Sequence, residues 1–392
     1  MSNTAVLSRQ MAFTDEQAML LDAAMTFCRE QSPIARVREL MTTETGFDPA
    51  VWQRMTELGW PGLCIAEAQG GAGLTLAEAA VLTECMGRHL LSTPFVSTQL
   101  AVAALQAGAD EAVQGLWLSR IAAGLPATVA LLEDEGDWRL TAFEACASVA
   151  EASGDSDLIL AGTKTLVPDA AVAGVVLVAL AFEGAPAMAV LPAALLQQGR
   201  IQRETVLDET RRCYRIALDG IRMPRTALIR GEAAGRALRA VRQAGLLLTS
   251  AEAAGGIASA LELIINYLNL RTTFGRKIGS YQSLKHTSAE ILVGLERSRS
   301  HVAHAATLIS TEQSQDALET ALRMAKVECC ESYVFAGDRG VQFHGGFGFT
   351  WECDAQLHLR RALVLQHSFG DATHHRRRLA EALLGPIEPV AV

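Results

Sequence analysis

The spacing of apolar residues changes twice along the chain, and those two changes limit the folds open to it. Between about Ala127 and Arg230 the apolar runs are short: Ala127–Leu132, Trp138–Phe143, Leu158–Leu160, Val175–Phe182, Met188–Leu191 and Tyr214–Leu218. Asp, Gly and Pro punctuate them, which is a strand-and-turn pattern. Several strands at that spacing predict a small sandwich or barrel. On both sides the spacing is helical. Upstream, Thr14-Asp15-Glu16-Gln17 and Thr75-Leu76-Ala77-Glu78 read as capping boxes, and Asp48-Pro49 reads as an N-cap followed by proline at the first helical position. Downstream, long patterns over Ala233–Leu270, Gln282–Ser310, Gln313–Ala336, Ala355–His367 and Ala372–Leu384 predict an antiparallel bundle. The expected class is α+β. A helical domain (1–126) precedes a β-sandwich or barrel (127–230), and a four-helix bundle (231–392) closes the chain.

A length of 392 residues at 50% hydrophobic content supports two or three domains with a real core. The net charge of -9 argues against nucleic acid as a partner, because that role needs a basic footprint. The longest apolar run, Val172 to Phe182, is about half a membrane span, so no membrane partner is expected. Met1-Ser2-Asn3-Thr4 lacks the basic region and apolar core of a secretory signal. The eight cysteines form no C-x-x-C pair. Reduced thiols in a cytoplasmic protein are expected, with neither a disulfide framework nor a metal site. His301 and His304 share a helix face but have no acid or cysteine beside them, so they read as helix surface.

The stretch Gln342-Phe343-His344-Gly345-Gly346-Phe347-Gly348-Phe349-Thr350-Trp351-Glu352 sits between two helical patterns. Adjacent glycines there let a backbone approach a bulky ligand closely. About 70 residues upstream stands a second cluster, Arg271-Thr272-Thr273-Phe274-Gly275.

At these residues the chain resembles the acyl-CoA dehydrogenase family, and the resemblance spans nearly its whole length. Phe13-Thr14-Asp15-Glu16-Gln17 is similar to the family's start. Leu58-Gly59-Trp60-Pro61-Gly62-Leu63 and Gly70-Gly71-Ala72-Gly73 are similar to its first-domain signature. Leu160-Ala161-Gly162-Thr163-Lys164 resembles a hairpin of its β domain. Tyr267, Arg271, Phe274-Gly275, Ile278, Gln282 and His286 fit one family pattern, and Gln342 with Gly345-Gly346 and Gly348 fits another. The resemblance implies a flavoprotein with FAD bound where the β domain meets the bundle, completed by a neighbouring subunit. Arg271, Phe274 and Gln282 would contact the cofactor from one bundle. Gln342, Gly345 and Gly346 would contact its adenosine part. The chemistry suits these roles: arginine offers a planar fork to a pyrophosphate, and glycine leaves backbone N–H groups accessible. The resemblance further implies an acyl-CoA substrate, an electron-transfer flavoprotein or similar acceptor, and a homo- or hetero-tetramer.

The family's reaction removes an α-proton and passes a β-hydride to the flavin, so it needs a carboxylate base in a dry site. The resemblance places that glutamate 24 residues after Gly345 or 26 residues before Arg271. Here those positions hold Phe369 and Gly245. The family's flavin-cradling strand is also altered: its W-I-T becomes Leu166-Val167-Pro168. Three readings stay open. A nearby acid acts as base, with Asp371 ahead of Glu252; the same Asp371 is well placed to cap the helix from Ala372. Alternatively the chain is half of a heteromeric enzyme, an arrangement resembling bacterial members that act on steroid and dicarboxylate CoA esters. Or the scaffold serves other chemistry. Of the remaining polar residues, Lys164 is expected to be structural and Arg360-Arg361 to make salt bridges between subunits. His374 to Arg378 are expected to form a solvated helix face.

Overall fold

A computed structural model describes residues 15–150, 157–196, 199–311 and 314–385. Thr14, and with it the first capping box, lies outside the described residues. The helices before the β region are α1 (Asp15–Gln31), α2 (Ile34–Met41), α3 (Pro49–Glu57), α4 (Leu76–Arg88), α5 (Phe95–Gly108) and α6 (Glu111–Ala122). The strands are β1 (Ala127–Ala130), β2 (Cys146–Val149), β3 (Asp157–Ala161), β4 (Thr163–Pro168), β5 (Val175–Phe182), β6 (Ala185–Pro192), β7 (Ile201–Glu204), β8 (Cys213–Ala217), β9 (Arg222–Pro224) and β10 (Leu228–Ile229). Then come α7 (Glu232–Leu270), a small hairpin of β11 (Thr272–Thr273) and β12 (Arg276–Lys277), α8 (Gln282–Ser310), α9 (Gln315–Phe343), α10 (Ala355–His367) and α11 (Ala372–Leu384).

Local chemistry sets the helix starts. The Asp48 carboxylate accepts from Ala50 N at 2.9 Å, with Pro49 at the first helical position of α3. At α4 the Thr75 hydroxyl accepts from Ala77 N, and the Glu78 carboxylate reaches back to Thr75 N at 2.9 Å.

Two compact units form. One takes in Glu39–Leu74 and Ser92–Gly245. Its larger sheet runs β10-β6-β5-β2-β3-β9, with β1 parallel to β5, and its smaller sheet runs β4-β8-β7. Both sheets contribute to one core: Leu158, Leu160, Val176, Val178 and Leu180 from the first, Val167, Tyr214 and Ile216 from the second. This is the sandwich or barrel that the strand spacing predicts. Each buried Val or Leu contributes about 1.5–3 kcal/mol. Two local readings need correction. Trp138–Phe143 forms no strand: the Asp137 side chain turns back onto Arg139 N at 2.9 Å and Leu140 takes φ 57°. The strand falls later, at β2. Leu160 to Lys164 is no hairpin either. β3 and β4 lie in different sheets, and Gly162 (φ 106°) turns the corner between them.

The other unit takes in the described residues up to Arg38, Thr75–Leu91, and those from Leu246 onward. There α4 packs so closely on α7 that a Cβ at Gly255 would stand 1.9 Å from Glu84 O. A buried ion pair, Arg299 to Glu84 at 2.9 Å, ties α8 to α4. By length and composition α7 matches a membrane span, which a search for unbroken apolar runs passes over; 78% of its apolar stretch is buried, as in a core helix.

Candidate functional site

Both motifs fall in the bundle unit, and the structure links them. The Tyr267 ring on α7 stacks on His344 with centroids 4.2 Å apart, and its hydroxyl donates to His344 O at 3.5 Å. Arg271 lies one turn beyond Tyr267, its N–H on Tyr267 O. Gln342 lies two residues before His344, and Gly345 and Gly346 follow it. His344 is itself anchored, its Nδ1 donating to Gly340 O at 2.7 Å. Arg271, Phe274, Gln282, Gln342, Gly345 and Gly346 are all exposed.

The glycines have different reasons. A Cβ at Gly348 would stand 2.1 Å from Val341 O, so the chain's own packing demands it. At Gly346 a Cβ would meet nothing within 4 Å, and its φ does not call for glycine. Its bare backbone faces outward with nothing of its own chain to fill it, which suits a ligand from outside. The hairpin points the same way. Phe274 and Gly275 form its two-residue turn, with φ 51° and 76°. That turn normally takes Asn-Gly, since both central residues must be left-handed. A phenylalanine there is strained, and this one is 90% exposed. The exposed arginine fork, two amides, an aromatic ring and open backbone fit the pyrophosphate and adenosine side of FAD.

The flavin-cradling strand is different. Leu166 N–H donates to the Glu204 carboxylate at 2.6 Å, and the neighbouring Thr165 N–H donates to Leu132 O at 3.0 Å. Pro168 has no N–H, and its carbonyl accepts from the Thr128 hydroxyl at 2.6 Å. These donors and acceptors are engaged within the strand's own unit, so the residues do not fit a flavin ring. Glu204 and Thr128 carried no signal in the sequence. On the same strand Lys164, fully buried, holds Glu133 at 2.7 Å with the Phe143 ring 4.6 Å away, the structural role expected of it. Burial pushes the Lys164 pKa down, while Glu133 opposes that shift.

The candidate acids are engaged too. Asp371 accepts from His374 N at 2.8 Å and caps α11. Glu252, 2% exposed, is ion-paired with Arg361, which is 0% exposed. Arg361 was expected at a subunit surface, but its salt bridge is internal. At the expected base position Phe369 is buried with φ 59°, and its carbonyl accepts from His375 Nε2 at 3.1 Å. His375 is therefore buried and not part of a solvated face, whereas Arg376 pairs with Glu331 on the surface. Trp351 packs under Arg38, whose guanidinium stands 5.7 Å from the ring.

Two family profiles match: "Acyl-CoA dehydrogenase, N-terminal domain" over residues 14–125 and "Acyl-CoA dehydrogenase, C-terminal domain" over residues 235–384. Acyl-CoA dehydrogenase IpdE2 of Mycobacterium tuberculosis is 27% identical over 89% of this chain and 91% of its own length. Acyl-CoA dehydrogenase FadE12 of the same species is 30% identical over 77% of this chain and 79% of its own. Among solved structures, the Tcur3481-Tcur3483 steroid ACAD superposes with TM-score 0.82 at 24% identity, over 94% of this chain and 98% of that one. The ChsE4-ChsE5 complex from Mycobacterium tuberculosis gives 0.82 at 21% identity, over 96% and 99%. An FAD-dependent dehydrogenase gives 0.80 at 20% identity, over 96% and 99%. The family supports FAD as the cofactor. With the fold, the two spaced motifs and both family profiles in the same order along one chain, the protein belongs to the acyl-CoA dehydrogenase family.

Proposed function

We propose that this chain is one subunit type of a heteromeric, tetrameric acyl-CoA dehydrogenase. The enzyme introduces a 2,3 double bond into a steroid-derived or other cyclic or branched acyl-CoA thioester. In this reading Arg271, Phe274, Gln282, Gln342, Gly345 and Gly346 bind the adenosine side of FAD. An unlike family member supplies the flavin-ring cradle and the catalytic glutamate. Bound FAD supplies the hydride acceptor, and an electron-transfer flavoprotein or similar protein reoxidises it. The observation that carries the reading is the state of the acids. Phe369 and Gly245 stand where the base is expected, Asp371 caps a helix, and Glu252 is locked to Arg361. The outward-facing Gly346 and strained, exposed Phe274 support a ligand at this edge. The heteromeric assembly draws on the steroid ACAD and ChsE4-ChsE5 neighbours, both two-component structures by name.

The test is to purify the chain alone, and again co-expressed with a family member that carries glutamate at either base position. The expected result is little flavin alone, and a flavin-loaded complex bleached by acyl-CoA. Arg271→Gln in this chain should lower the flavin content of the complex. A chain that alone holds FAD and is bleached by acyl-CoA would favour the other reading, a complete enzyme with Asp371 as base. Asp371→Asn would then have to abolish turnover.

A further inference from the structure

The hairpin between α7 and α8 carries three cations, Arg271, Arg276 and Lys277, and the flavin edge accounts for Arg271 alone. The ladder fixes which side each one takes. Thr273 pairs with Arg276, and Thr272 with Lys277. The Ile278 N–H donates to Arg271 O at 2.9 Å, so the pairing runs one row further. Side chains alternate along a strand, so Arg271, Thr273 and Arg276 share one face while Thr272 and Lys277 take the other. Arg271 and Arg276 are diagonal neighbours on their face, roughly 7–8 Å apart at the backbone.

Lys277 is engaged within the chain: it donates to Leu270 O at 2.8 Å and closes the C-terminal end of α7. Arg276 is different. Among the described residues its guanidinium has no hydrogen bond and no ion pair, and neither has that of Arg271. Yet Arg276 is anchored. Its guanidinium lies 4.0 Å from the centre of the Tyr281 ring, and the Tyr281 hydroxyl donates to Thr273 O at 3.4 Å. The ring holds the cation through its π face and leaves the N–H donors to a ligand. Two like charges side by side repel. An anion with two adjacent charges offsets that repulsion, and a diphosphate offers each arginine a phosphate for its fork.

We propose that Arg276 is a further binding residue for the diphosphate of FAD. Arg271 takes one phosphate, Arg276 takes the other, and Tyr281 positions Arg276. This inference rests on the reading of the Arg271 edge as the adenosine side of FAD, and adds the residue that meets the second phosphate. CoA carries a diphosphate as well, so the test separates the two sources.

The test is titration with FAD of the flavin-stripped protein, as the heteromeric complex or as the full chain, whichever binds FAD. Wild type is compared with Arg271→Gln, Arg276→Gln and Tyr281→Leu. Arg276→Gln should raise the Kd for FAD at least about tenfold, the loss of one charge-assisted contact. Competition by ADP and AMP gives a readout that damage to the hairpin would not. In wild type ADP should displace FAD at lower concentration than AMP, because its second phosphate meets the second arginine. Arg276→Gln should remove most of that preference, and Tyr281→Leu part of it. A merely loosened hairpin weakens both nucleotides alike and keeps the preference, which would overturn the proposal. If Arg271→Gln weakens FAD binding and Arg276→Gln does not, Arg276 has no such role while the FAD reading stands. If both variants bind FAD as wild type does, the reading of this edge falls and the proposal with it. If Arg276→Gln weakens binding of CoA and leaves that of FAD intact, the diphosphate belongs to CoA and the proposal is overturned.

Discussion

Arg361 has no exposed surface, and the carboxylate it holds belongs to Glu252, 109 residues earlier. Separating such a pair strands a buried charge, whereas replacing both partners with apolar residues removes the desolvation cost along with the attraction. Glu252→Gln should therefore destabilise the chain by about 3–5 kcal/mol in urea unfolding, and Glu252→Met/Arg361→Leu by far less. If the double variant is as unstable as the single, the pair stabilises through hydrogen bonds that apolar side chains do not replace. The pairing was hidden in the sequence because nothing local marks it. Glu252 read there as a weak base candidate, and Arg361 as half of an exposed arginine pair. Arg212 repeats the lesson. Only 2% exposed, it donates to the carbonyls of Leu40, Met41, Thr43, Glu44 and Glu209. No pattern around Arg212 announces that role. By contrast Asp371 was legible as a helix cap from its place alone, because a cap and its target amide lie within one turn.

At the scale of elements, the hairpin between α7 and α8 holds Phe274 at a left-handed turn position, φ 51°. Asn in place of Phe274 suits the left-handed position much better, because a bulky residue there costs about 1–2 kcal/mol. Phe274→Asn should raise the thermal midpoint of the chain slightly and lower the flavin content of the heteromeric complex. A variant with unchanged flavin content would show that the ring does not reach the cofactor. Elements whose apolar pattern is strong were legible to their ends: β5 at Val175–Phe182, α8 at Gln282–Ser310, α10 at Ala355–His367 and α11 at Ala372–Leu384. Elements made by their partners were not. β7, Ile201–Glu204, has a single apolar residue and lies at the edge of the smaller sheet beside β8. β4 carries a buried lysine, a register shift between Lys164 and Val167, and a proline. The same contrast divides the site. Arg271 and Gly345-Gly346 stood out as candidates because their chemistry lies in residues next to one another. The loss of free donors on β4 depends on Glu204, 38 residues away, and only the folded chain shows it.

At the scale of the whole molecule, its response to acid follows from two histidines that the fold keeps neutral. The Arg323 guanidinium can only donate, so the His375 Nδ1 it meets at 3.0 Å is an acceptor. The other ring nitrogen carries the proton given to Phe369 O, the carbonyl at the expected base position. Burial, helped by Lys326 and Arg323, pushes the His375 pKa down to about 3. Burial and Arg88 push His89 down to about 4. Both values lie below the roughly 6.5 of an unfolded histidine. The unfolded chain therefore takes up protons that the folded chain refuses as pH falls below about 6.5, and stability rises with pH across that window. Above it the full stability is present. Glu78 and Glu133, whose pKa values are also lowered, act only further toward acid, around and below the ordinary carboxylate range. Between pH 6.5 and 5 the slope of unfolding free energy should thus approach two protons, each worth about 1.4 kcal/mol per pH unit. His375→Gln keeps an acceptor for Arg323 and a donor for Phe369 O but cannot titrate. Urea unfolding of this variant across the window should show the slope fall by about one proton, whatever its stability at neutral pH. An unchanged slope would mean that His375 is already protonated in the folded chain, which is incompatible with the acceptor role its contact with Arg323 requires.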